Sequence, residues 1–109
     1  MLMTMIKNLK IREFSKYPGG RHPSDGLYSG ELYRQTVLEP LFKQGIDFCI
    51  DTNGVFAIAP SFLDEAFGPF IEELGESEFR RRFVFIVNDD PDFNDELDFV
   101  ISNRLNSNA

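Results

Sequence analysis

Short apolar runs alternate along the chain with longer segments of helical periodicity. Apolar and polar side chains alternate within residues 6–14, as in a half-exposed strand. Largely apolar runs at residues 46–51 and 82–88 predict two more strands, and the second run is typical of a sheet covered on both faces. An Asn-Gly turn follows the middle run, so a returning hairpin strand is the alternative interpretation of residues 55–59.

The first predicted helix lies between the first two strands. It begins at Ser29, whose hydroxyl is a typical helix cap, and ends near Gly45. Pro40 falls inside this segment and conflicts with an uninterrupted helix, since an interior proline costs about 3 kcal/mol. We therefore expect a break or kink there.

The second predicted helix begins at Ser61. Ser61 and Asp64 match a capping box, in which the hydroxyl accepts a backbone N–H and the acid reaches back toward the helix start. The apolar side chains that follow form one wide stripe, and acidic side chains such as Glu65 lie next to it. Gly68-Pro69 should kink this helix, and a third helix follows residue 90.

Alternation of strands and helices builds a largely parallel sheet with crossover helices. The sequence therefore predicts an α/β domain with a small mixed, largely parallel sheet of about four strands and three main helices. One domain is expected over residues 1–109, with its core over about residues 6–105. The residues expected to be largely buried are Phe48, Ile50, Phe67, Phe85 and Val100.

The composition narrows the classes of function. The chain has 109 residues and a formal net charge of −7, which argues against a nucleic-acid partner because phosphate binding needs clustered lysine and arginine. Its single cysteine, Cys49, excludes an internal disulfide and a cysteine-based zinc site, and we expect it to be buried. No signal peptide is visible, and no apolar segment approaches the ~20 residues that span a bilayer. We expect a cytoplasmic protein with no membrane partner.

Candidate catalytic and metal-binding residues are sparse. His22 is the only histidine, and no sequence signal supplies it with both an orienting carboxylate and a nucleophile. The acidic run at residues 89–96 fails as a calcium loop because Asp95 and Ile101 stand where a glycine and a bidentate glutamate are required. We predict no catalytic residue, no metal ligand and no cofactor, and a protein that is not an enzyme.

A glycine-rich loop follows the first strand. Gly19 and Gly20 should adopt backbone angles open mainly to glycine and so place Arg21. We expect Arg21 to pair with a carboxylate or to cap carbonyls of the same domain. An anion site is the alternative interpretation of this loop, and it ranks second because no helix start follows directly.

Several segments together resemble a bacterial protein family. They are Asp51-Thr52-Asn53-Gly54-Val55 and Ser61-Phe62-Leu63-Asp64-Glu65-Ala66-Phe67-Gly68, with support from Pro18-Gly19-Gly20-Arg21 and Ser29-Gly30-Glu31. The chain resembles STAS-like domains of unknown function, which look like distant relatives of the STAS domains of anti-sigma-factor antagonists. The resemblance covers about residues 6–105 and implies a small sheet packed against helices.

The resemblance also implies a mode of action. In the antagonists, a partner kinase with the histidine-kinase-like ATPase fold phosphorylates a serine or threonine at the start of the helix after the central strand. Here Ala59 and Pro60 occupy the places of the acid and the phosphorylated serine, and Ser61 alone keeps a hydroxyl. We interpret Ser61 as a helix cap, with a phospho-acceptor as the alternative. The resemblance, together with an expected acidic edge, makes Pro60, Ser61, Asp64 and Glu65 the candidate partner-binding residues.

Three classes of function are consistent with these features. The leading hypothesis is a regulatory module that binds another protein, such as a histidine-kinase-like ATPase. The second is a structural or oligomer-forming subunit of a larger bacterial assembly. The third is a small hydrolase that uses the loop at residues 19–22, and it has the least support because no catalytic constellation is visible.

Overall fold

The computed structural model describes residues 5–107, in which three strands alternate with helical segments. The elements in chain order are β1 (Ile6–Lys10), the single-turn helix α1 (Ile11–Phe14), a 3-10 turn (Pro23–Asp25), α2 (Gly30–Tyr33), a π-helical turn (Arg34–Leu38), α3 (Glu39–Phe42), β2 (Asp47–Asp51), α4 (Pro60–Arg82), β3 (Phe83–Ile86) and α5 (Phe93–Ser107). The predicted α/β class is confirmed. Within residues 5–107 the sheet has three parallel strands, where a mixed sheet of about four strands was expected.

The three strands are all parallel, in the order β1-β2-β3. Phe48 of β2 pairs with Lys7 of β1 and Phe83 of β3, so these three side chains share one face of the sheet. The helices pack against that face. Phe83 stacks on Phe48 and on Phe79 of α4, with ring centroids 4.9 and 4.7 Å apart. Of the residues expected in the core, Phe85 is half-buried, and the buried ones are Phe48, Ile50, Phe67 and Val100.

The first strand is shorter than residues 6–14. The backbone leaves the sheet at Ile11, where the N–H of Ser15 donates to the Ile11 carbonyl at 3.0 Å and closes the turn α1. Arg12 then reaches across the end of β2 to the Asp51 carboxylate, 3.2 Å away. Burial of Ile11 and this ion pair stabilise a turn that the alternating pattern does not distinguish from a strand.

Residues 55–59 do not form a hairpin strand. The side-chain oxygen of Asn53 accepts the backbone N–H groups of Asn88 and Asp89, at 2.9 and 3.1 Å. The N–H of Gly54 donates to the Asp89 carboxylate at 3.0 Å. These bonds tie the Asn-Gly turn to the chain that follows β3, so the segment crosses the carboxyl end of the sheet and no fourth strand forms there.

One face of the sheet is open to solvent. Val84 is 51% exposed, and Ile86 and Ile6 are exposed on the same face. The expectation of a sheet covered on both faces is therefore wrong. Cys49 points to this open side. It is half-buried, whereas the sequence predicted that it would be buried. Val84 and Ile86 of the second apolar run lie on this face, which no element within residues 5–107 covers.

The helical segment from α2 to α3 continues through Pro40. Ser29 caps α2 as predicted, since its hydroxyl accepts a backbone N–H at 3.1 Å. Pro40 causes no break. Pro40 has no N–H to donate to the Thr36 carbonyl, and its ring would crowd that carbonyl in a regular α-helix. The wider π-helical turn Arg34–Leu38, just before Pro40, relieves this clash. Gly45, at a φ of +79°, follows the end of the segment as predicted.

Helix α4 begins one residue earlier than predicted. Pro60 is its first residue and Ala59 its cap, without a side-chain hydrogen bond. The interpretation of Ser61 as the cap is therefore wrong. Proline suits the first helical position because the N–H that it lacks has no helical partner there. The helical backbone is interrupted at Gly75, with φ +79° and ψ +167°, and not at Gly68-Pro69.

An arginine from another helix compensates for the proline inside α4. Pro69 has no N–H to donate to the Glu65 carbonyl one turn earlier. Arg34 lies buried against α4 and donates to that carbonyl and, at 3.2 Å, to the Glu65 carboxylate. The carbonyl that proline leaves without a helical partner is thus satisfied by tertiary structure. This contact also fixes the start of α4 against the segment that carries Arg34.

Candidate functional site

The glycine-rich loop is closed by backbone hydrogen bonds. Gly19 donates to the Tyr28 carbonyl at 3.1 Å, and Gly30 donates to the Gly20 carbonyl at 3.0 Å. Gly20 has a φ of +80°, and a Cβ there would lie 2.8 Å from the Cβ of Asp25. Gly19 has neither a left-handed backbone nor any neighbour that a Cβ would meet. The predicted need for glycine is confirmed at Gly20 and wrong at Gly19.

The loop presents Arg21 to the start of α4. The Arg21 guanidinium donates to the Asp64 carboxylate, so the predicted pairing within the domain is confirmed. Arg104 of α5 donates to the other oxygen of the same carboxylate at 2.7 Å and to the Asp64 carbonyl at 3.0 Å. Asp64 therefore joins the loop, α4 and α5 at one point. Gly68 makes room for Arg104, since a Cβ there would lie 2.4 Å from its guanidinium carbon.

The Asp64 carboxylate is held in its charged form. Partial burial on its own raises the pKa of Asp64, but hydrogen bonds and charge from Arg104 and Arg21 outweigh burial and hold that pKa below its ordinary value. An ionised carboxylate between two guanidinium groups is the expected state at neutral pH.

Glu65 forms an ion pair with Arg34. The Arg34 guanidinium lies 3.2 Å from the Glu65 carboxylate and 3.2 Å from that of Glu39. The side chains of Asp64 and Glu65 are only 16% and 15% exposed. The expectation that both present free acid at an exposed edge is therefore wrong. Their charges are neutralised within the domain.

His22 lies beside this cluster. Its Nδ1 is 3.2 Å from the Glu31 carboxylate, and one ligand atom each from His22, Glu31 and Glu65 lie within 4.8 Å of one another. An imidazole and two carboxylates are chemically suited to a divalent transition metal. Arg34 already occupies the Glu65 carboxylate, however, and His22 is exposed, so the cluster is also explained by its own ion pairs.

The first residues of α4 border a small surface cavity. Pro60 is exposed and Ser61 half-buried. The cavity has a volume of about 60 Å³ and is lined by Arg21, Pro60, Asp64, Phe99, Val100 and Asn103. Phe99 of α5 is 66% exposed at its rim. The structure thus brings two of the predicted features, the Gly19–Arg21 loop and the start of α4, into one surface, and adds Phe99 to it.

A second exposed aromatic group lies at the carboxyl end of the sheet. Tyr17 and Phe56 stack with ring centroids 4.6 Å apart and an interplanar angle of 7°. Phe56 is 74% exposed and belongs to the segment that leads into Pro60. Its N–H donates to the Lys16 carbonyl at 2.9 Å, which joins the two segments.

Phe56 and Phe99 were not predicted from the sequence as surface residues. A signal existed for Phe99, because it falls outside the apolar stripe formed by Phe93, Leu97 and Val100 of α5. Phe56 stands among the candidate residues of a hairpin strand, and that interpretation assigned it no surface role. The carboxylate partner of His22 was not predicted either, although it lies only nine residues away in Glu31.

Comparison with known protein families shows to which family the chain belongs. Residues 29–93 match a family described as a STAS-like domain of unknown function. The chain belongs to this family. No curated protein and no solved structure matches. The matched segment runs from the cap Ser29 to the first residue of α5, and so contains β2, α4 and β3. The resemblance that the sequence indicated is confirmed over residues 29–93 of the expected 6–105.

The described helices were also compared with the requirements of a membrane span. Within residues 5–107, none combines the length and the hydropathy that crossing a bilayer requires. Helix α4 is interrupted at Gly75, and charged residues run throughout its sequence.

Proposed function

We propose that this STAS-like domain is a regulatory module that binds another protein through the surface around the start of α4. We call this surface the α4 surface and define it by Arg21, Phe56, Pro60, Ser61 and Phe99. The observation that carries the proposal is the exposure of Phe99, which lines a cavity with Pro60, and of Phe56, which precedes Pro60 by four residues. Aromatic side chains are enriched at the energetic centres of protein interfaces.

The rigidity of the α4 surface supports the same proposal. Arg21 and Arg104 hold the Asp64 carboxylate from two sides, and Arg34 holds Glu65. A surface that is ordered before binding loses less conformational entropy when a partner docks. In this proposal Asp64 and Glu65 are positioning residues, whereas Pro60 and the two phenylalanines contact the partner.

The proposed partner is a protein with the histidine-kinase-like ATPase fold. This part of the proposal rests on the resemblance to the anti-sigma-factor antagonists, in which the same helix start meets such a partner. Ser61 is the second residue of α4 and half-buried, so a phosphate placed there would lie at a helix N-terminus, where negative charge is stabilised. We propose that recognition here depends on shape and aromatic contact, since the neighbouring acids are already paired.

The test begins with capture of partners from the native host by the tagged chain and their identification by mass spectrometry. The affinity of the purified partner is then measured by calorimetry for Phe56→Ser and Phe99→Ser. We expect each substitution to weaken binding at least about tenfold, because truncating a central aromatic anchor costs about 2 kcal/mol or more. Val84→Ser is the matched control, since it removes an exposed apolar side chain from the open face of the sheet.

Full affinity in both phenylalanine variants would remove the α4 surface from the interface. Glu65→Lys is a poor probe of binding here, because it breaks the contact with Arg34 and so changes stability together with the surface. Phosphorylated Ser61 in protein isolated from native cells would add a switch to the proposed contact.

One observation favours a second candidate function, that of an oligomer-forming subunit. Parallel sheets are rarely left uncovered, and the open face exposes Ile6, Val84 and Ile86 among polar side chains. If that face joins copies of the chain, Val84→Ser should lower the mass measured by sedimentation while Phe99→Ser leaves it unchanged. The two variants therefore separate the two functions.

A further inference from the structure

A groove runs along the outer edge of β1. Its volume is about 330 Å³. Four consecutive strand residues line it, and successive side chains of a strand point to opposite faces, so the groove follows the edge of the strand and not one face. Its other wall comes from α1 and from the segment after Ser29. The lining residues are Lys7, Asn8, Leu9, Lys10, Glu13, Phe14, Tyr33 and Val37.

The backbone at this edge is available for pairing. Within residues 5–107, β1 pairs with β2 alone and forms one end of the sheet. A strand in this position presents a row of backbone N–H and C=O groups that another extended segment can use. The five residues Ile6–Lys10 offer about 17 Å of edge, enough for a short peptide in extended conformation.

Tyr33 lines this groove and carries a buried hydroxyl that has no partner among the described residues. Tyr33 is 1% exposed, and its hydroxyl has no hydrogen-bond partner among the described residues. Its ring is packed between Phe14 and Phe62, with centroids 4.8 and 5.8 Å away. Burial, and secondly the charge of Glu13 on the groove wall, raise the pKa of Tyr33, so the hydroxyl stays protonated and remains a donor. Leaving such a group unpaired is unfavourable, and an acceptor in the groove would satisfy it once the ring shifts to bring its hydroxyl to the groove surface.

The charged side chains along the edge of β1 favour an acidic binding partner. Lys7 and Lys10 are exposed and form no ion pair within residues 5–107, although the chain as a whole carries a charge of −7. Glu13 is the one acidic side chain on the groove wall. Lysines on an edge strand also hinder pairing between copies of the chain. That role does not account for the groove or for the buried hydroxyl of Tyr33.

We propose that an extended, acidic segment of a partner protein binds in this groove as a fourth strand along β1. Its backbone pairs with the free edge of Ile6–Lys10, its carboxylates lie near Lys7 and Lys10, and one of its oxygens accepts the Tyr33 hydroxyl. A second copy of this chain fits less well, because pairing β1 with β1 would bring four lysines together. This surface is separate from the α4 surface, so the inference does not depend on the function proposed above.

The first experiment uses fluorescein-labelled heptapeptides and fluorescence anisotropy. One peptide alternates valine with glutamate, a second alternates valine with lysine, and a third is the glutamate peptide with its central residue replaced by proline. We expect the glutamate peptide to bind at least about tenfold more tightly than the other two, with affinity falling as salt rises. Amide shifts in a nitrogen–proton correlation spectrum should concentrate at residues 6–10.

The second experiment separates edge binding from general attraction. Lys7→Glu with Lys10→Glu should abolish binding of the glutamate peptide. Lys16→Glu with Lys43→Glu makes the same change in net charge at lysines outside the groove and should leave the affinity within about twofold. Tyr33→Phe should weaken binding about three- to tenfold, the value of one hydrogen bond, without loss of the folded spectrum.

Four results would overturn the proposal. The glutamate peptide fails to bind at millimolar concentration, it binds equally well to both double-lysine variants, or its amide shifts lie at the α4 surface or at Val84 and Ile86. Concentration-dependent dimers whose interface maps to Ile6–Lys10 would assign this edge to a second copy of the chain and would also overturn it.

Discussion

The start of α4 and the edge of β1 differ in whether their charged side chains form ion pairs within the domain. Every one of the seven arginines of the chain forms an ion pair, and three of them, Arg21, Arg34 and Arg104, hold Asp64 and Glu65. None of the four lysines forms an ion pair within residues 5–107, and two of them lie on β1. The acidic helix start is thus internally neutralised, whereas the strand edge keeps its charge.

This contrast shows that the net charge of the chain does not indicate where on its surface the unpaired charges lie. The chain is acidic, yet the acids at the start of α4 form ion pairs with arginines of the same domain. Planar guanidinium groups suit such buried, multiply bonded positions, whereas lysine is a flexible and strongly hydrated point charge. Substitutions at the two surfaces test this contrast, beginning with the contact expected to contribute most to stability.

Removing Arg34 should cost the most. Arg34→Met leaves the Glu65 carbonyl and carboxylate without their donor, and breaking a buried pair of this kind costs about 3 kcal/mol. Chemical denaturation followed by circular dichroism measures the change. Pro69→Ala returns the missing N–H to α4, so the penalty for Arg34→Met should shrink in that background. An equal penalty in both backgrounds would show that the carbonyl contact contributes nothing.

Loosening the loop that holds Arg21 should have the next largest effect. Gly20→Val places a side chain at a left-handed backbone position and against Asp25, and we expect a loss of about 2 kcal/mol. Gly19→Ala is the matched control, since a Cβ there meets no neighbour, and it should change the free energy of unfolding by less than about 0.5 kcal/mol. Similar melting temperatures for the two variants would contradict a specific role for Gly20.

Neutralising Asp64 should have a smaller effect that depends on pH. Asp64→Asn should cost about 1 kcal/mol at pH 7, because Arg21 and Arg104 lose a charged acceptor at a partly exposed site. The folded-state pKa of Asp64 lies below its unfolded value, so the stabilisation is complete above about pH 4 to 5 and is lost as pH falls through the folded pKa.

Urea denaturation at pH 7 and at pH 2 to 3 tests this sign. The difference in stability between the wild type and Asp64→Asn should shrink toward the lower pH. A difference that stays constant or grows on acidification would contradict a depressed pKa at Asp64.

Changing the lysines of β1 should have the smallest effect on stability. Lys7→Gln with Lys10→Gln removes exposed side chains that form no ion pair within residues 5–107, so the free energy of unfolding should stay within about 0.5 kcal/mol of the wild type. A loss as large as that of Asp64→Asn would mean that these lysines belong to the internal network after all, and the contrast between the two surfaces would fail.

Local features of the sequence predicted those parts of the fold whose causes are local. Ser29 caps its helix through a residue three positions away, and Gly20 and Gly45 take left-handed backbone angles in their turns. The predictions failed where two local interpretations were equally good. Ser61 looks like a cap, but Pro60 is equally suited to begin a helix, and the residues 55–59 fit both a strand and a crossing segment.

The sequence by itself determined the α/β class, the family, the apolar faces of the helices and the need for glycine at position 20. Only the tertiary structure decided which charges are available. Arg21 and Asp64 are 43 residues apart, Asp64 and Arg104 40, and Arg34 and Glu65 31. A local sequence pattern relates residues that are only a few positions apart. Whether a charge is paired and desolvated depends instead on contacts between segments that are distant in the sequence. The open sheet face and the groove beside β1 are set by the same long-range packing.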